Sequence, residues 1–114
     1  MNLGRALASF GKNAAFKLGS DKAGQRLFDD LRSDDETVRM LAGMFIVKNG
    51  RRALPLLREK MANREQLPTV LTMLADIGAP ESEADIRAFV DDGDPEVARA
   101  ALLALDVLRR NLGR

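Results

Sequence analysis

Three stretches of this 114-residue chain can be laid over one another in register, and that internal repeat restricts the fold more than any other feature. Asp35 to Ala42 (DETVRMLA) aligns with Arg64 to Leu71 (REQLPTVL), and both align with Asp94 to Ala101 (DPEVARAA). Val38 maps onto Leu67, 29 residues on, and Leu67 maps onto Val97, 30 residues on. Leu41, Val70 and Ala100 keep that register, as do Ala42, Leu71 and Ala101. A unit of this length, used three times, predicts a stacked array of small supersecondary pieces.

The apolar spacing inside each unit is helical. Gln25 to Arg32 carries Leu27, Phe28 and Leu31. Arg52 to Met61 carries Leu54, Leu57 and Met61. Glu83 to Val90 carries Ile86, Phe89 and Val90. No alternating pattern suggests a strand. The punctuation agrees with helix pairs. Ser33 with Glu36 reads as a capping box, and Asp94-Pro95 as an N-cap followed by proline at the first helical position. Asn49-Gly50 and Ile77-Gly78 read as glycine-assisted helix ends. Leu18-Gly19-Ser20-Asp21 closes the first helix and caps the next. Pro55 and Pro68 are confined to first turns, where a missing N–H is harmless.

The expected fold is all-α. About seven helices form an α-solenoid of about 3.5 helix pairs, with units at approximately 2–32, 34–61 and 64–90 and a half-unit at 94–111. The motif Asp-x-x-Val-Arg with an Ala-rich first helix resembles the HEAT-like repeats of the phycobilin-lyase type. Asp35, Val38, Arg39 and Ala42 carry the resemblance, as do Asp94, Val97 and Ala101, with Arg99 one place late. The middle unit departs from it, with Leu67-Pro68 where Val-Arg is expected. The resemblance implies the fold. It also implies that the second helix of each pair lines a concave side, and only by analogy does it imply a tetrapyrrole-lyase role.

Composition narrows the chemistry. The chain has no Cys, His, Trp or Tyr. Disulfides, thiolate chemistry and the usual neutral-pH proton shuttle are excluded, and zinc, copper and haem lose their main ligands. No cofactor or metal is expected, and no catalytic residue: adjacent carboxylates such as Asp29-Asp30 and Asp91-Asp92 do not face one another on a helix. The loop at Asp91 to Glu96 fails the EF-hand template and reads as an inter-repeat loop with a cap. No apolar run approaches the roughly 20 residues of a membrane span, and no signal-peptide core is evident, so a cytoplasmic location is the default expectation.

The expected function is therefore non-enzymatic: an adaptor or scaffold that binds a protein or peptide. Charge is segregated although the net charge is only +1. A basic stripe of Arg51, Arg52, Arg58 and Lys60 should lie beside an acidic stripe of Glu81, Glu83 and Asp85 on the concave side, with Arg51 and Arg58 sharing a face. The last helix is apolar around most of its girth. Leu102, Leu105 and Leu112 are the expected docking patch, for another chain or for self-association. The alternative partner is nucleic acid, held through the basic residues between Arg39 and Arg64. The small net charge and the scarcity of aromatics disfavour it. The first helix carries Leu3, Ala6, Leu7, Phe10, Ala14 and Leu18 on one side and no acidic residue. It reads as the terminal helix of the array, packed by that side, in preference to a membrane-surface helix.

Overall fold

The computed structural model describes residues 3–114. Seven α-helices are present among them and no strand: α1 (Leu3–Lys17), α2 (Asp21–Asp30), α3 (Glu36–Lys48), α4 (Leu54–Ala62), α5 (Leu67–Ile77), α6 (Ser82–Arg87) and α7 (Pro95–Asn111). A 3₁₀ turn, Gly50–Ala53, leads into α4. None of these helices is long and apolar enough to cross a membrane.

Local chemistry accounts for most of the boundaries. Ser20 caps α2, its hydroxyl accepting from the Ala23 N–H. Asp94 caps α7, its carboxylate accepting from the Glu96 N–H, and Pro95 follows at the start of the helix. Gly78 closes α5 in the left-handed region, with φ 75°. The cap of α3 differs from expectation. Asp35 is the N-cap and accepts from the N–H groups of Thr37 and Val38. Ser33 instead accepts from the Asp35 N–H at 3.1 Å, and so orients the capping residue rather than capping the helix itself. The sixth helix also stops short of the expected end of its unit at residue 90, because the chain beyond Arg87 continues as turns.

The described chain divides into two compact units, residues 3–56 and 57–114, with the division inside α4. In the first, α1, α2 and α3 pack against one another. Leu27, Phe28, Val38, Ala42, Phe45 and Ile46 are buried. In the second, α5, α6 and α7 do the same, and Val70, Leu71, Leu74, Ile86, Ala101 and Leu108 are buried. By area, each fully buried side chain of Leu or Ile size stabilises by about 1.5–3 kcal/mol.

The two units are wired alike. In the first, Arg5 Nη2 donates to Ser33 Oγ at 2.8 Å, and Ser33 Oγ accepts from the N–H of the helix cap Asp35. In the second, Arg64 donates from both terminal nitrogens to Asp92 at 3.0 and 2.9 Å, and Asp92 accepts from the N–H of the helix cap Asp94. Asn49 donates across to Asn13 in one unit, and Asn111 to the Ala75 carbonyl in the other. Asp21–Arg52 and Glu83–Arg114 repeat as ion pairs. Corresponding residues stand 59 to 62 positions apart, which is two lengths of the repeat seen in the sequence.

Candidate interaction surface

Helix α1 docks by its polar side. Lys12 Nζ reaches Asp30 Oδ2 at 2.7 Å, Asn13 accepts from Asn49 at 2.8 Å, and Arg5 holds Ser33 and Asp34. Ser9 is buried on the same side, with its hydroxyl donating to the Arg5 carbonyl. Phe16 is the one large apolar residue of α1 that is fully buried. It sits so close to Gly24 that a β-carbon there would lie 2.6 Å from the ring. Small and polar side chains thus let α1 approach its neighbours closely.

The larger apolar side chains of α1 are left outside. The sequence places Leu3, Ala6, Leu7, Phe10, Ala14 and Leu18 on the packing side, but of these only Ala6 is buried. Helix α3 departs from expectation in the same direction. Its all-round apolar sequence predicts a helix clasped on every side, yet Met40 and Met44 face outward. Exposure is 62% at Leu3, 60% at Leu7, 53% at Phe10, 64% at Met40 and 39% at Met44. The two helices run parallel, since Arg5 meets the start of α3 and Asn13 meets its end. Phe10 bridges them edge-on to Phe45, with ring centres 5.0 Å apart. The five exposed side chains thus lie on two neighbouring, parallel helices of the first unit. Together they expose on the order of 500 Å², which as a single patch would be at the upper end of what soluble monomers leave uncovered. The missed signal was present in the sequence: α1 has a second possible inner face, Ala6, Ser9, Asn13 and Phe16, at equally good helical spacing.

The expected charged stripes are largely consumed inside the units. Arg52 donates from Nε to the Phe16 carbonyl at 3.0 Å and pairs with Asp21 at 3.1 Å, so it is a structural clamp. Arg58 pairs with Asp85 at 3.0 Å, joining the basic stripe to the acidic one. Lys60 is buried against Glu65 at 3.1 Å. Glu83 receives Arg87, Arg109 and Arg114 at 3.4, 3.3 and 3.3 Å. The hydrogen bond from Arg109 is the main reason its carboxyl is held below the usual range. Asp92 is likewise lowered, first by Arg64, whose own guanidinium is raised in return. Arg51 and Glu81 are exposed. Arg51 and Arg52 lie in the 3₁₀ turn before α4, so the continuous helical register that would put residues 51 and 58 on one face is broken.

In the second unit, a cleft of about 370 Å³ lies between α4 and α6, floored by Met61, Ala62, Ala84, Ala88 and Phe89. The Arg58–Asp85 pair lines its edge. On α7, Leu102 and Leu103 are exposed at 58% and 61%, and Leu112 is half-buried. Leu105 is 7% exposed and belongs to the core, which removes it from the expected patch. Adjacent positions on a helix point about 100° apart, so Leu102 and Leu103 do not make a continuous face.

Comparison with protein-family models, with characterised proteins and with solved structures finds no match to this chain.

Proposed function

We propose that this protein is a non-enzymatic interaction module, built of HEAT-like helix pairs, that binds a protein partner through the outward surface of its first unit. The observation that supports this is the inverted packing of α1: Leu7 and Phe10 stand in water while Ser9 and Lys12 face the unit. Burying the outward surface of Leu3, Leu7, Phe10, Met40 and Met44 would contribute about 10 kcal/mol gross at 25 cal/mol/Å², enough to offset much of the 4–15 kcal/mol that association costs. The sequence-based proposal of a charged gripping face is weaker beside it, because Arg52, Arg58, Lys60, Glu83 and Asp85 already have partners. Those pairs also leave less free positive charge for a phosphate backbone.

The test is photo-crosslinking in cells with a benzoyl-phenylalanine side chain at Leu7 or at Met40. A protein adduct is expected from both positions, and none from the same group at Thr69 in the second unit. No adduct from either position would overturn the proposal.

A further inference from the structure

The outer ridge of α3 carries a pattern that says what covers it. Glu36, Met40, Met44 and Lys48 follow one another at steps of four, and all four are exposed. Rows at this spacing form the principal ridges by which helices pack, inclined to the helix axis. The row is acid, methionine, methionine, base. Turned end for end, it meets itself: Glu36 faces Lys48, and Met40 faces Met44.

We propose that the partner is a second copy of this chain, joined by a two-fold axis that passes between Met40 and Met44 and sets the two α3 helices antiparallel. This rests on the interaction surface proposed above and names its occupant. A two-fold contact uses the same patch on both copies, and so requires a self-complementary one. The four-step ridge is that patch. Leu3, Leu7 and Phe10 on the neighbouring α1 widen the apolar area, and Lys17 adds positive charge at the Lys48 end. Area is sufficient. Each copy offers on the order of 500 Å² of apolar-residue surface plus its charged ends, against about 800 Å² per partner in interfaces of standard size. Methionine suits the centre, because its flexible thioether fills the irregular space between crossing helices.

The chain of 12.5 kDa is expected to sediment as a species of twice that mass at micromolar concentration. Glu36→Lys and Lys48→Glu should each weaken association at least tenfold, because each places like charges opposite one another at both ends of the contact. The double variant, Glu36→Lys with Lys48→Glu, should recover most of it. An effect confined to one helix predicts the opposite order. Acid at the start and base at the end favour the helix dipole, so the double variant would then be the worst of the three. Circular dichroism of all three variants separates loss of fold from loss of contact.

A chain that stays monomeric at hundreds of micromolar overturns the proposal. So does a dimer whose affinity ignores both charge reversals, or one that the double variant fails to restore. Cosedimentation of the monomer with anionic vesicles would give the surface to lipid instead. The crosslinked adduct distinguishes the two levels. An adduct with a different protein ends the self-pairing and leaves the interaction surface standing. No adduct ends both.

Discussion

The guanidinium of Arg52 lies over the ring of Phe16, its carbon 4.5 Å from the ring centre, and the same side chain donates to the Phe16 carbonyl. One residue thus closes the end of α1, covers its only large buried side chain, and ties both to Asp21 at the start of α2. The planar fork makes this combination, and an ammonium cannot. Arg52→Lys is expected to lower stability by about 1–2 kcal/mol and Arg52→Ala by about 2–3 kcal/mol, since both a cation–π contact and a charge-assisted hydrogen bond are lost. Urea denaturation of the full chain would show it. A change below about 0.5 kcal/mol for Arg52→Ala, the range of an ordinary surface substitution, would refute the clamp.

Gly24 lies in the middle of α2, where alanine would ordinarily raise helix stability by about 1 kcal/mol. Here the added carbon would stand 2.6 Å from Phe16 Cε1 and 2.7 Å from Cδ1. The ring is fully buried and has no open side into which to move. Gly24→Ala is therefore expected to destabilise by about 1–3 kcal/mol, the usual cost of overpacking. A rise in the urea midpoint would mean that the ring has room to shift.

Ser82 is fully buried, and its hydroxyl finds no hydrogen-bond partner among the described residues. Removing an unsatisfied buried hydroxyl relieves a desolvation cost. Ser82→Ala should leave stability unchanged or raise it by up to about 1 kcal/mol. A loss of more than about 1 kcal/mol would indicate an unseen partner for the hydroxyl.

Acid should weaken the second unit. The folded carboxyls of Glu83 and Asp92 are lowered from their ordinary values of 4.5 and 3.8. Groups lowered by folding contribute stability above their unfolded pKa, and that contribution disappears as pH falls through the folded pKa. Stability should therefore decline from near pH 4.5 downward. The decline should be shallower in Glu83→Gln and in Asp92→Asn than in the parent chain. Thermal melts between pH 7 and pH 3 would read this, and parallel curves for the parent and both variants would contradict it.

Arg64 and Gln66 both have positive φ, 55° and 47°, without being glycine. Gln66 stands at the start of α5 and provides no side-chain cap. A left-handed residue of this kind costs roughly 1–2 kcal/mol, part of which glycine recovers against its greater freedom in the unfolded chain. Gln66→Gly should gain about 0.5 kcal/mol. The same change at Arg64 should lose stability, because it also deletes the two-pronged grip on Asp92.

Helix number and most ends were legible in the sequence because capping and apolar periodicity are local. Asp94, Pro95 and Gly78 act within a turn of where they stand. The choice between Ser33 and Asp35 as cap was not legible, since both residues offer an oxygen and only the turn geometry separates them. The rotation of α1 was missed for a different reason. Two of its faces have helical spacing, and the choice between them is made by Asp30 and Asn49, which are 18 and 36 residues away from the groups they hold. The charged stripes failed likewise. Arg58 finds Asp85 at a separation of 27 residues, and Arg109 finds Glu83 at 26, so charges that form separate blocks in the sequence cancel in space.

Because α1 is fastened mainly by ionic and amide contacts around one buried aromatic ring, ionic strength acts on it differently from the rest of the chain. At about 1 M salt the Debye length shrinks to roughly 3 Å, and exposed attractions such as Arg5–Asp34 fade, while burial of apolar surface elsewhere holds or strengthens. The opening segment would then fray while the remaining helices tighten. A brine that steadies most small helical proteins would free the N-terminus of this one for proteases.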